Sequence, residues 1–168
     1  SSVIGGAEPS AERAATALAN LGDAGRVAIE ARLAGDDHHD GDATELSEAA
    51  TARLVGALGL LARRGDAAAR ARVLARTTDR AVRVRRAAIV ALGKLGGDDA
   101  RAALIARWDA DQVAPDERRA LAEALGKLGG DQALARLRAL DPGADHELAR
   151  RRDRAVLIAD RSAPREAS

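Results

Sequence analysis

Apolar residues in the middle of the chain recur at intervals of three and four. Val84, Ala88, Ala91, Leu92 and Leu95 form one such stripe, which predicts a helix with a single buried face. Gly96 and Gly97 follow, where a left-handed residue after the last turn ends a helix. Asp98 or Asp99 is then expected to cap a second helix, with Ala100, Leu104 and Trp108 as its stripe. Further on the plan returns. Pro115 suits a first helical turn, Leu121, Leu125 and Leu128 form the stripe, and Gly129–Gly130 end it. Asp131 is expected to cap a helix carrying Leu134, Leu137 and Leu140, "DPGAD" (141–145) reads as a turn, and a last helix is predicted from His146 to Asp160.

The two copies are related by more than pattern. "RRAAIVALGKLGGDDARAALIARWDA" (85–110) aligns with "RRALAEALGKLGGDQALARLRALDPG" (118–143) at an offset of 33 residues, and "ALGKLGG" stands unchanged at 91–97 and 124–130. "LVGALGLLARRGD" (54–66) fits the same frame with two extra residues, and "ATALANLGD" (15–23) fits it more loosely. A period of this size means stacked supersecondary units, each a helical hairpin that cannot bury its stripe alone. The expected units are 10–35, 44–77, 79–110 and 114–141, with a capping helix over 145–160 and flexible ends at 1–9 and 161–168.

"VRRAAIVALGKLGG" (84–97), followed by a second helix, resembles the HEAT-like repeat of the short kind found in phycobilisome lyases and many bacterial proteins. Val84 and Arg85 stand in the family's Val-Arg position, and Ala88, Ala91, Leu92 and Gly93 in its Ala-x-x-Ala-Leu-Gly stretch. In the fourth unit Glu117 takes the valine position, while Arg118, Ala124, Leu125 and Gly126 still match. The resemblance is firm over 85–140 and rests on periodicity over 10–77. It implies an all-α protein, a right-handed α-α superhelix of about four hairpins plus the capping helix. Tetratricopeptide repeats want Trp, Tyr and Phe that this chain lacks, and ankyrin repeats want a Thr-Pro-Leu-His turn absent here.

Composition sharpens this picture. Among 168 residues there is no Phe, Tyr, Cys or Met, and Trp108 is the sole aromatic, so alanine and leucine must supply the core. Without cysteine there are neither disulfides nor thiolate zinc sites. No apolar run approaches the roughly 20 residues of a membrane span, and "SSVIGGAEPS" lacks the marks of a signal peptide, so a cytoplasmic location is expected. The missing initiator methionine fits processing or a module cut from a longer polypeptide.

Net charge is only +1, but it is segregated. Residues 36–48 hold six acids and no Lys or Arg, whereas 63–86 hold nine arginines against Asp66 and Asp79. The acidic stretch includes "GDDHHDGD" (35–42), with Asp36, Asp37, Asp40, Asp42, His38 and His39. An EF-hand register from Asp36 puts His38 in an oxygen slot and Ser47 where the bidentate glutamate belongs, so the calcium reading fails. A solvated inter-repeat loop is the expectation, with no metal or cofactor. His146–Glu147 resembles one His-Glu dyad of deoxyhypusine hydroxylase, but one dyad cannot build that enzyme's di-iron centre, and a capped first turn explains the pair. "GKLGG" lacks the Lys-Ser/Thr ending of a phosphate loop.

Arg85–Arg86 and Arg118–Arg119 recur at the repeat spacing and predict rows of arginine. HEAT-like DNA glycosylases bind duplexes on such surfaces, but their aromatic side chains are missing here. Pairing with Asp79, Asp98, Asp99 and Asp116 is the favoured role. Trp108, in step with Leu104, is expected to pack inward. The resemblance places second helices on a concave face, adding Arg101, Arg107, Trp108, Arg136 and Arg138 to the candidate partner contacts. The expected function is a non-catalytic module docking a protein or peptide. The alternatives are the accessory recognition domain of an RNA- or protein-modifying enzyme, and nucleic-acid binding through the arginines.

Overall fold

The computed structural model describes residues 8–37 and 48–162, with side chains described over 13–34 and 48–160. The stretch from His38 to Asp42, central to the metal question, lies outside the described residues, as do the side chains of Asp36 and Asp37. So do 1–7 and 163–168 of the expected flexible ends. The described residues contain no strand. They form α1 (Glu8–Asn20), α2 (Asp23–Asp37), α3 (Glu48–Arg63), α4 (Ala67–Ala75), a 3-10 turn (Arg76–Thr78), α5 (Val82–Leu95), α6 (Asp98–Trp108), α7 (Pro115–Leu128), α8 (Asp131–Ala139) and α9 (His146–Ser162). Helix therefore takes in Glu8 and Pro9 at the start and reaches Ser162 at the end, two residues past the expected bounds on each side. Pro9 is compatible with this because a first turn needs no backbone donor there. The all-α class read from the sequence holds.

The chain divides into two compact units, Ser1–Ala88 and Ile89–Ser168, with the boundary inside α5. In the first unit α3 packs against α1, α2 and α4. Its core is aliphatic, built on Ile29, Leu33, Val55, Leu58, Leu61 and Val73. Asp66 caps α4, its Oδ1 accepting from Ala69 N at 2.9 Å, and its carboxylate also holds Arg26 Nε at 3.1 Å.

The second unit is centred on α7, which packs against α6, α8 and α9. Ile89, Leu92, Leu104, Leu121, Leu125 and Leu137 are fully buried, and Trp108 is only 7% exposed, so the predicted stripes face inward. Leu95, Leu128, Leu134 and Leu140, at the stripe ends, are half-buried.

The capping expectation needs correction. Gly97 and Gly130 are the N-cap residues of α6 and α8, and neither helix has a side-chain cap. Asp98 and Asp131 are already the first helical residues, and Asp99 accepts from its neighbour Ala100 N at 2.8 Å. The cause is the doubled glycine. Gly96 and Gly97 have φ of 73° and 93°, and Gly129 and Gly130 have 63° and 89°, so the turn closes in two residues and glycine occupies the cap. After α3, a single Gly65 leaves the cap to Asp66. The displaced acids still sit at the positive helix end, where a carboxylate is favoured.

Candidate functional site

Glu117 shows how the fourth repeat departs from the third. One repeat earlier its position is Val84, a core residue 1% exposed; Glu117 itself is 0% exposed. A lone carboxylate there would be untenable. Arg107, from the end of α6, supplies the charge: Nε donates to Oε1 and Nη2 to Oε2 (3.1 Å) in a bidentate pair. Arg107 Nη2 also donates to Gln112 O.

The next residue, Arg118, is different. Its guanidinium lies 4.7 Å from the centroid of the Trp108 ring, and Nη1 donates to Trp108 O at 2.7 Å. That is a cation–π contact tied down by a backbone carbonyl. Burial holds the Arg118 pKa below the ordinary arginine value. Glu117 and Asp109 pull it up and Arg107 pushes it down, yet both of those carboxylates are in the grip of other arginines.

Trp108, Arg118, Arg136, Ala139, Leu140, Asp141 and Leu148 line an open basin of about 460 Å³ in the second unit. Three of the sequence candidates, Trp108, Arg118 and Arg136, meet there. Arg136 is engaged: its Nε and Nη2 bond Asp109 at 2.6–3.1 Å, which raises the Arg136 pKa and lowers that of Asp109. Asp141 Oδ1 accepts from Gly143 N at 2.9 Å and serves the turn before α9. The apolar lining from Ala139, Leu140 and Leu148 was not anticipated. Leu148 belongs to the last helix, and only tertiary packing brings it to α8.

The remaining candidates are mostly structural. Arg119 bridges Asp116 (2.7 Å) and Asp145 (2.9 Å). Asp145 also caps α9, accepting from Leu148 N at 2.9 Å; that backbone bond and Arg119 hold its pKa low. Arg101 pairs with Asp98 at 2.7 Å and Arg138 with Asp160 at 2.7 Å. Arg85, in the first unit, donates to the carbonyls of Asp79 (2.8 Å) and Arg80 (3.0 Å). Asp79's carboxylate is occupied by Arg76 at 2.9 Å and by Ala81 N. Arg86 is exposed on α5.

A second groove of about 350 Å³ runs between α7 and α9, lined among others by Glu123, Lys127, Glu147, Arg151 and Arg154. Its charges are cross-linked: Arg151 bonds Glu123 and Glu147 at 2.8 Å each, and Lys127 bonds Glu123 at 2.6 Å. Glu147, of the His-Glu pair, is thereby held by Arg151 and Arg150, which lower its pKa. Among the described residues no group of three or more His, Cys, Asp or Glu side chains could hold a metal ion, and no helix is long and apolar enough to cross a membrane.

Residues 84–107 and 117–140 match the family model of the PBS lyase HEAT-like repeat. These two stretches are HEAT-like repeats, and repeats of this kind imply a helical solenoid, as expected from the sequence. No curated protein matches the chain.

Proposed function

We propose that this chain is a non-catalytic scaffold of HEAT-like repeats that docks a protein or peptide partner, with the repeats spanning 10–160 and the protein acting in the cytoplasm. HEAT repeats commonly mediate protein interactions. The observation that carries the reading is the basin of Trp108, Leu140 and Leu148 beside Arg118: apolar surface with a half-buried cation that no carboxylate of the described residues pairs, the composition of an interface anchor. The nucleic-acid reading draws less support. Arg101, Arg119, Arg136 and Arg138 already pair with carboxylates of their own chain, so a phosphate at those positions would have to compete with these acids. A recognition domain within a modifying enzyme would use the same basin, with chemistry supplied by another part of a longer polypeptide.

The test is photo-crosslinking of the full chain in cell extract with benzoylphenylalanine at Ala139, an exposed rim residue. The expected result is one discrete polypeptide adduct that maps to a single segment of the partner. No adduct from a folded protein, together with salt-dependent retardation of a duplex in a gel, overturns the reading in favour of nucleic acid.

A further inference from the structure

The arginines around the basin are unequal. Arg107 holds Glu117, Arg119 holds Asp116 and Asp145, and Arg136 holds Asp109. Arg118 sits among them with no carboxylate oxygen of the described residues in ion-pair range; its one hydrogen bond goes to the Trp108 carbonyl through Nη1. Nε and Nη2 are left with unused donors, and neither is sealed from solvent. The repeat explains the vacancy. One repeat earlier, Arg85 is drawn to the segment around Asp79; 33 residues on, that aspartate position is Gln112, which brings no charge. Glu117, the nearest acid in sequence, is turned inward and bonded by Arg107.

A guanidinium set over an aromatic ring, with donors on Nε and Nη2 open, suits a planar anion. Beside it lie Ala139, Leu140 and Leu148, surface suited to an aliphatic side chain. The rim carries one acid, Asp141, spent on the turn at Gly143. The basin is open, so an extended chain can cross it.

The geometry points to Arg118, set over the Trp108 ring, as the site that recognises an aspartate or glutamate side chain of an acidic partner peptide, with an adjacent aliphatic residue seated against Leu140 and Leu148. This deepens the docking function proposed above and rests on it. Arg118 supplies specificity through charge-assisted hydrogen bonds, and its contacts with the Trp108 ring and carbonyl restrain the guanidinium, which limits the ordering cost on binding.

Trp108 is the only Trp in a chain with no Tyr, so its fluorescence reports on the site directly. The full chain is titrated with acetyl-Leu-Glu-Leu-amide, with its glutamine analogue, with acetyl-Leu-Gln-Leu bearing a free C-terminus, and with inorganic phosphate. Saturable change with the glutamate peptide is expected, about tenfold or more weaker with the glutamine analogue. Arg118→Gln abolishes the preference, and Ala139→Asp, at an exposed position, weakens the glutamate peptide without touching the core. Equal responses to both amidated peptides, saturation only by phosphate or only by the free C-terminus, or a preference unchanged in both variants overturns the assignment. The two proposals fail separately. Crosslinks from Ala139 to a partner, with no response to the glutamate peptide, keep the docking surface and remove the carboxylate; the reverse pattern removes the macromolecular partner.

Discussion

Gly126 of α7 lies directly against Ala155 of α9. A Cβ built on Gly126 would stand 2.6 Å from Ala155 Cα and 3.1 Å from its carbonyl oxygen. Gly93 of α5 makes the same approach one repeat earlier, its Cβ position 3.1 Å from Ala124 Cα. The glycines let neighbouring first helices touch almost backbone to backbone, so an alanine-rich core gains contact from proximity rather than from side-chain bulk.

Gly126→Ala is therefore expected to destabilise the protein by about 1–2 kcal/mol, because overpacking of about 1–3 kcal/mol outweighs the helix propensity gained. Gly56→Ala in α3, where nothing lies within 4 Å of the new methyl, is expected to stabilise by about 0.5–1 kcal/mol. Urea unfolding of both variants checks the opposite signs.

The Arg107–Glu117 pair predicts a non-additive cycle. Arg107→Leu alone strips the bidentate partner from a carboxylate with no exposure and is expected to cost about 3 kcal/mol or more. Arg107→Leu with Glu117→Val, which restores the valine of the third repeat, is expected to lie within about 1 kcal/mol of wild type or above it. A double-mutant cycle measured by thermal unfolding decides.

Helix caps separate two aspartates that look alike in sequence. Asp66→Ala removes a true cap and the Arg26 ion pair and is expected to cost about 1–2 kcal/mol. Asp131→Ala, inside a helix capped by Gly130, is expected to change stability by less than about 0.5 kcal/mol. Denaturant midpoints distinguish them.

Acid sensitivity follows from Asp109, Glu123, Asp145 and Glu147, whose pKa values lie below the ordinary carboxylate range in the folded chain. The unfolded chain titrates these groups at about 4, so near that pH it binds more protons than the folded chain and stability rises with pH. Their contribution is complete above the unfolded pKa values and is lost as pH falls through the folded ones. Asp145→Asn keeps a competent cap and removes the charge, so its stability profile between pH 2 and pH 6 is expected to be flatter than wild type.

How legible was this in the sequence? Helical spacing located Val84, Leu92, Leu104, Trp108, Leu121, Leu125 and Leu137 in the core, because a helix stripe depends on local periodicity alone. The glycine pairs marked both turns, yet the caps were misplaced by a residue, since which glycine takes the cap is settled by backbone φ rather than by residue preference. Arg119, Arg136 and Arg138 pair with acids 22 to 27 residues away, a distance no local pattern reveals. Glu117 at a valine position was the visible signal of the candidate site. Its partner Arg107 and the lining residue Leu148 emerge only when α6, α7 and α9 are packed.

The two glycine pairs have a genetic consequence. Gly96–Gly97 and Gly129–Gly130 are interchangeable seams, alike in residue, in left-handed conformation and in the lysine-leucine that leads into them. Unequal recombination between them would excise or duplicate residues 98–130 as a cassette, leaving each join intact. A lineage carrying this chain can thus vary its reach in whole modules without first evolving a new hinge.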